Sequence, residues 1–475
     1  MRRTIGSRKG RADLMAQRRR VAAVATALSL VLAACSTGAP ATPAAPASAP
    51  PSAAASPSAA AAQPVKLTVW WWGEQEAPGL EGFMKESVDL FQKQYPNITV
   101  EAVLQTTDGI VPAWEAAVAA KSGPDIQYIW GDGNWARAVW NGSVVPLDDL
   151  LGAEEINHYA DLDRAGNSFD GKLYGVPFYT IGYPWIVNPT LLEKAGIAGG
   201  TTPKTLEELL AACDKLNAAG ITPIAAGLKD AWYMGFIMPG LFMSLVDSPS
   251  EYYEIFTNDK GFDDPRYAPV WDALQQIRDR KCFNDDAGSL DFFSANEKFT
   301  REEAAMIPAV QPVAIGFARE LGPEKVDISA WPTIGTGKLG GTYGFVNQKL
   351  AITSWSRHQA EAALFLKFLH TPERMAAMYE QAGALSLDDR FSAEGLDPLD
   401  AKQLQLIRDD GSGGWIQAFW PPQFEYESLY SFGVELLLGT IDANEAVARA
   451  VDGMKKWREG HPDEVERYRQ TLAAM

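Results

Sequence analysis

Cysteine and histidine are scarce in this chain, three and four among 475 residues. Three cysteines cannot staple a small disulfide scaffold, and four scattered histidines form no cluster with metal-ligand spacing. Basic residues are the minority charge: 42 Lys and Arg stand against 60 Asp and Glu, a formal charge of −18. That balance argues against nucleic acid, which needs cations to displace counterions from phosphates. Apolar runs long enough to cross a bilayer are missing from the body, which excludes a polytopic membrane protein. The chain has no G-x-S-x-G, no H-E-x-x-H and no P-loop motif. What remains, 47% hydrophobic and 21% charged, is the composition of a soluble globular protein.

The first 35 residues read as an address rather than as fold. Eight basic residues precede Val21, and Val21 to Ala34 is an apolar run too short to span a membrane. Met15 offers a second start with a more ordinary basic region, Arg18-Arg19-Arg20. The run ends Leu32-Ala33-Ala34-Cys35, which resembles a bacterial lipobox whose cysteine is lipidated. The other reading is a plain secretory signal cut nearby. Residues 36–64 hold 13 Ala, 7 Pro and 5 Ser without a charge, so they cannot offset their ordering entropy and form an extended linker. The chain is expected outside the cytoplasmic membrane, tethered at Cys35.

The body from Val65 exceeds the size at which one core stops growing, so two lobes are expected. Leu67, Val69 and Trp71 alternate with Thr68 and Trp70, a strand. Leu80 to Gln94 carries a helical stripe and is stopped by Tyr95-Pro96. Ile98 to Leu104 alternates again, Trp114 to Lys121 is a short helix, and Asp125 to Trp130 reads as a buried strand. Thr205 to Glu208 is a capping box after Pro203, and Ile221 to Ala225 a further strand. The helices at His358 to Leu369, after Pro372 and at Asn444 to Trp457 complete the outline. Strands alternating with helices imply mainly parallel sheets flanked by helices. Cys213 lies on an apolar helical stripe, where a free thiol packs as a small hydrophobe; pairing with Cys282 is the less favoured reading.

Two glycine motifs tempt. Gly335 to Gly340 matches G-x-G-x-x-G, yet a strand pattern follows it rather than a helix, so it reads as a hinge. Gly131 to Ala136 sits after a strand but lacks the acid a dinucleotide ribose needs, so it reads as a loop presenting Trp130 and Asp132. Asp161 to Lys172 fails as a calcium loop. No metal and no cofactor are called for.

The informative pattern is where aromatics fall. All fifteen Trp lie in the body. Ligands of open α/β sheets bind beyond the carboxyl ends of strands. Strand one runs into Trp72-Gly73-Glu74-Gln75, strand three into Trp130-Gly131-Asp132, and Tyr179 follows Val176-Pro177-Phe178. Asp230 and Trp232 follow the strand after the capping box, and Trp415 and Trp420 bracket a Gly/Pro-rich loop. Sugars need that pairing: their C–H faces stack on rings while their hydroxyls need donors and acceptors.

These pieces, in order, resemble the extracellular sugar-binding proteins of bacterial ABC importers, the family 1 solute-binding proteins that include maltose-binding protein. The resemblance runs from Leu67 to about Trp457. It rests on Leu67-Thr68-Val69-Trp70, Gly123-Pro124-Asp125-Ile126, Val145-Pro146-Leu147-Asp148, Gly171 to Pro177, Asn188 to Leu192 and Arg301 to Met306. It implies a two-lobed type II periplasmic-binding-protein-like fold, with lobe I at 65–178 and 340–388 and lobe II at 179–339 and 389–475. Crossings are implied near Phe178–Tyr183, Gly335–Thr342 and Ala384–Asp389. By position it implies a site of Glu74, Gln75, Trp130, Asp132, Asp230, Trp232, Gln311, Tyr343 and Trp420, to which the strand-end pattern adds Trp72 and Tyr179. Gln311 is not the aromatic the family places near there, and the loop from Asp409 to Gln423 departs from its pattern.

The expected protein is a monomeric, membrane-anchored receptor that closes on a mono- or oligosaccharide and delivers it to a permease. A binding protein of the same fold for a polyamine, peptide or metal is a rival, because Glu74, Asp132 and Asp230 would also serve a cation. An exported glycosidase fits the two-lobed pattern less well than a barrel would. A purely structural lipoprotein leaves the strand-end aromatics without a purpose.

Overall fold

The structure is a computed structural model and describes residues 63–130, 134–257, 261–410, 415, 419–425 and 429–474. The leader, Cys35, the linker up to residue 62, and Asp132 lie outside the described residues. In chain order the strands are β1 (Val65–Trp71), β2 (Ile98–Leu104), β3 (Ile126–Ile129), β4 (Ser168–Phe169), β5 (Lys172–Leu173) and β6 (Val176–Gly182). They continue with β7 (Trp185–Val187), β8 (Thr222–Ile224), β9 (Ala304–Pro308), β10 (Asp327–Ser329) and β11 (Phe345–Ile352). One sheet has the order β2-β1-β3-β11-β6 and a second β10-β7-β9-β8, while β4 and β5 form a small hairpin.

The first sheet follows the expected pattern in β1, where Val65, Leu67, Val69 and Trp71 are buried and Lys66 is exposed. β3, β6 and β11 are buried at every position, as strands covered on both faces must be. Pro177 is tolerated within β6 because β6 is the sheet edge and its register with β11 shifts at Gln348/Lys349. Helix α1 (Leu80–Gln94) buries Leu80, Phe83, Met84, Ser87 and Phe91, one helical face. Helix α2 (Thr107–Ala120) begins seven residues before the expected Trp114 and contains Pro112 at its sixth position, where the ring removes the bond an N–H would make to Asp108 O.

Strand direction differs from the mainly parallel expectation. β1 pairs in parallel with β2 and β3, but β11 is antiparallel to β3 and β6. In the second sheet only β8 and β9 are parallel; β7 runs against both β9 and β10. The reason is the path of the chain: β11 enters the first sheet on its way back from the second, and so runs the other way.

The chain leaves the first sheet at Gly182 and starts the second at Trp185. Tyr183 N–H donates to Gly344 O (2.9 Å) and Thr180 N–H to Leu385 O (2.9 Å), so three crossing segments lie side by side. Gly182 is required there, because a Cβ would meet the Tyr343 ring at 2.6 Å. Past residue 388 the chain does not return at once to the second body. His158 Nδ1 lies 2.7 Å from Asp389 Oδ1, and Arg390 bonds Glu155, both in the first body. The second body resumes at the helix Pro398–Asp410.

The capping box forms as read: Glu208 N–H donates to Thr205 Oγ1 at 3.2 Å. Cys213 and Cys282 are joined in a disulfide, against the favoured free-thiol reading. Both are fully buried, and the carbonyl of Cys282 accepts from Ile224 N–H, which carries it to the helix of Cys213. That juxtaposition arises 69 residues apart in sequence, out of reach of a local pattern.

Candidate functional site

The loop after β1 builds the first half of the site. Gly73, at φ +140°, lets the chain turn against Leu80 and the Tyr179 hydroxyl, each 2.8 Å from where a Cβ would sit. Trp72 then lies over Trp130 with ring centroids 5.3 Å apart, edge on, and 6.0 Å from Tyr128. Its Nε1–H donates to Thr107 Oγ1 (3.0 Å), and that hydroxyl donates to Gln75 Oε1. Gln75 is exposed and Trp130 half-buried, so an amide and a ring edge stay open to a ligand.

Glu74 is not free. Its carboxylate accepts from Gly79 N–H (3.1 Å) and Glu81 N–H (2.6 Å), at the start of α1. It satisfies orphan donors of that helix and complements its dipole. The acid the sequence reading missed is Glu76, half-buried two residues on. Tyr179 OH donates to Glu76 Oε2 (2.9 Å) and lies 3.4 Å from Tyr128 OH. Burial pushes Glu76 up to about 7, against the lowering effect of the Tyr179 hydrogen bond. Tyr179 itself is buried and its own ionisation is pushed well up by burial. It positions Glu76 rather than offering a ring face. The only signal for this trio is the contact between Glu76 and a residue 103 positions away.

The second half lies beyond β8. Asp230 is half-buried, and its carboxylate makes no hydrogen bond or ion pair among the described residues. Trp232, half-buried, packs edge-on against Phe236 (5.6 Å) and Phe292 (5.5 Å). Phe293, 42% exposed, lies 6.5 Å from Trp232. Phe236 reaches Tyr183 at the crossing (5.5 Å), and Tyr183 stacks flat on Trp415 at 4.3 Å. A chain of rings thus runs from the hinge to the open face of Trp232.

Three expected site residues are elsewhere. Gln311 is fully buried; its Nε2–H donates to Gly383 O (3.0 Å) and Asp400 Oδ1 (3.3 Å). Tyr343 is fully buried under the hinge and donates to Gln403 Oε1 (2.7 Å). Trp420 is a core residue, packed on Phe242 and Phe262, with Nε1–H donated to Tyr252 O (3.0 Å). Each is fully covered, with the Gln311 Nε2, Tyr343 hydroxyl and Trp420 Nε1 engaged, which removes it from a ligand's reach.

Among the described residues, Glu155, His370 and Asp388 bring potential metal-ligand atoms within 4.8 Å of one another. Arg390 already occupies the charge balance there, donating to Asp388 (2.7 Å) and Glu155 (2.6 Å). Burial opposes ionisation of Asp388, but the hydrogen bonds of Arg390 and His370 outweigh it and hold the carboxyl well below its usual range. The cluster is a structural ion network tying residues 388–390 to the first body.

Two α/β bodies joined by adjacent crossing segments, each with ring faces beside polar groups, define the class of two-lobed ligand traps. The chain belongs to the bacterial extracellular solute-binding protein family, whose model matches residues 74–376. It is similar to an uncharacterized ABC transporter extracellular-binding protein of Pyrococcus horikoshii, 23% identical over 83% of this chain and 88% of that protein. It also resembles an osmoprotective compounds-binding protein of Synechocystis, 27% identical over 38% of this chain and 43% of that protein. In fold it matches a chitin oligosaccharide binding protein (TM-score 0.72, 20% identity, 83% of this chain and 98% of the other). It likewise matches a solute-binding protein in complex with raffinose (TM-score 0.69, 16% identity, 82% and 98%). No helix among the described residues is long and apolar enough to cross a membrane.

Proposed function

We propose that this receptor captures a carbohydrate, mono- or oligosaccharide, and hands it to the permease of an ABC importer. The observation that carries the reading is a pair of aromatic groups: half-buried Trp130, backed by buried Trp72 whose loop carries exposed Gln75, and half-buried Trp232, two residues after Asp230, with exposed Phe293. Ring faces next to an exposed amide and an unpaired carboxylate suit a sugar, whose C–H faces stack while its hydroxyls bond. Fold neighbours described as binding chitin oligosaccharide and raffinose support the substrate class. In this reading 65–178 with 340–388 forms lobe I, and 179–339 with the residues after the Arg390 network forms lobe II. Lipidated Cys35 and the Ala/Pro/Ser linker hold the monomer at the outer membrane face. Asp132, two residues after Trp130 in sequence, is proposed for the same ligand set.

The rival solute is a cation, favoured by the unpaired Asp230 carboxylate. Glu76 lends it less support than an ordinary acid would, because a carboxyl raised to about 7 is only partly ionised near neutral pH. The test is Trp fluorescence and calorimetry with maltotriose, raffinose, chitobiose, spermidine and a dipeptide. Saturable binding of one sugar without hydrolysis is expected. Response to spermidine or the dipeptide alone would overturn the substrate class, and sugar turnover would overturn the receptor reading.

A further inference from the structure

The two tryptophans that bracket the Gly/Pro-rich loop have different surroundings. Trp420 belongs to the core of the second body. Trp415 is as fully buried, but it lies against the crossing segments. Its ring stacks on Tyr183 with centroids 4.3 Å apart and planes 5° from parallel. Gly344, in the neighbouring crossing, makes room for it, because a Cβ there would collide with the Trp415 ring.

Strand alternation places that indole on the ligand side of the crossings. From Tyr179 to Gly182 the pairing of β6 with β11 is regular, and Tyr183 N–H donates to Gly344 O beyond it. Tyr179, Ile181 and Tyr183 therefore point to one face, and Thr180 and Gly182 to the other. The second face carries Tyr343, which covers Gly182 and packs with Leu404 and Ile407. The first face borders both halves of the candidate site. Tyr179 meets Glu76, in the loop that also holds Trp72 and Gln75. Tyr183 meets Phe236, which leads to Trp232. Trp415 lies on this first face, over Tyr183 and Gly344.

The indole there covers a ring plane. Tyr183 presents a phenol face at the floor of the proposed cleft, and a sugar ring could seat its C–H face on that plane as it would on Trp130 or Trp232. The chain's own flat ring already holds the place. A ligand unit that reached the floor would have to displace a buried indole, and the area that burial hides from water opposes the exchange.

We propose that Trp415 is a built-in occupant of a ring subsite: it fills the place on Tyr183 where a further sugar unit would stack, and so limits the length of the ligand at the hinge end of the cleft. A short sugar held between the Trp130 and Trp232 groups is then favoured over one that runs along the floor. That consequence rests on the carbohydrate reading, but the covered place is tested without sugar. The probe is tryptophanamide, an indole whose charged end must stay in water, so that it enters only a place open to the cleft. In equilibrium dialysis with the full chain it should bind saturably to Trp415→Ala and to the milder Trp415→Val, and not to the unmodified protein. Circular dichroism melts confirm folding, and Trp415→Val keeps the test open if Trp415→Ala does not fold. Calorimetry then reads the length preference. The third ring of maltotriose over maltose, or of chitotriose over chitobiose, should raise affinity about tenfold more in the variants than in the unmodified chain. Folded variants that bind no more tryptophanamide than the unmodified chain overturn the covered place. An unchanged length preference among sugars that do bind overturns its role in specificity. Uptake of tryptophanamide with no binding of any sugar would instead sink the carbohydrate reading and leave the covered place standing.

Discussion

The two lobes use tryptophan in different ways. In the first, Trp72 is tied through Nε1 to Thr107 and sits beside Gln75, with the Glu76–Tyr179 pair in the same loop. In the second, Trp232 rests on Phe236 and Phe292, with Phe293 exposed nearby. In the proposed reading one side is a polar reader with fixed hydrogen-bond geometry and the other an apolar plate, so that orientation would come from one lobe and stacking area from the other. Trp420, in the same second lobe, shows that tryptophan there also serves as plain core.

The largest effect that sharpens the contrast is Trp420→Ala. It should cost about 3–5 kcal/mol of stability, as buried large-to-small changes do, seen as a lower midpoint in denaturant melts. Ligand affinity of the folded fraction should stay unchanged; a selective loss of affinity would return Trp420 to the site. Next is the disulfide. Replacing Cys213 and Cys282 by Ala should cost about 2–4 kcal/mol. The loss should fall on the second lobe, with faster amide exchange there than in β1 to β3. Uniform exchange would show the lobes to be one cooperative unit.

Trp72→Ala and Trp232→Ala should each weaken sugar binding by about 1 kcal/mol or more in calorimetry; buried Trp72 should lose stability as well, while half-buried Trp232 should lose less. An effect in only one lobe breaks the two-sided trap. A pH effect follows from Glu76. Its folded value of about 7 lies above the ordinary 4.5, so its contribution is fully present below about 4.5 and is lost as pH rises through about 7. Asp163 and Asp400, raised to about 7 and about 6 chiefly by burial, act with the same sign. Thermal midpoints should therefore fall between pH 5 and 8, and Glu76→Gln should flatten part of that fall, about 1 kcal/mol after allowance for solvent at a half-buried group. A midpoint that rises over that range would reverse the assignment. Gln75→Ala is the smallest change: stability unaltered, sugar affinity a few-fold weaker.

Much of this was legible along the chain. The period-two run of β1, the stripe of α1 and the Thr205 cap are local patterns, and local patterns predict themselves. Trp72 and Trp130 were singled out because strand ends mark where a ligand can lie, and the structure brings the two rings together. Burial was not legible. Tyr343 and Trp420 follow glycine- or proline-rich stretches much as exposed aromatics do, and only packing against Leu404 and Ile407, or Phe242 and Phe262, tells them apart. Glu76 was missed and Glu74 misread for a related reason. One acid in a short loop meets a helix start and the other a distant tyrosine, and nothing in the loop itself assigns which.

The order β2-β1-β3-β11-β6 carries a consequence for the newborn chain. β3 and β6 are not neighbours until β11 is inserted between them, and β11 is the last strand to be made. A polypeptide emerging amino terminus first therefore holds β1, β2, β3 and β6 without the strand that joins them until Phe345–Ile352 appears. Its first lobe cannot close early on the ribosome. For a chain whose leader reads as an export signal, that delay leaves the first sheet unfinished while most of its length is still being produced, whereas the second sheet has all its strands by Ser329.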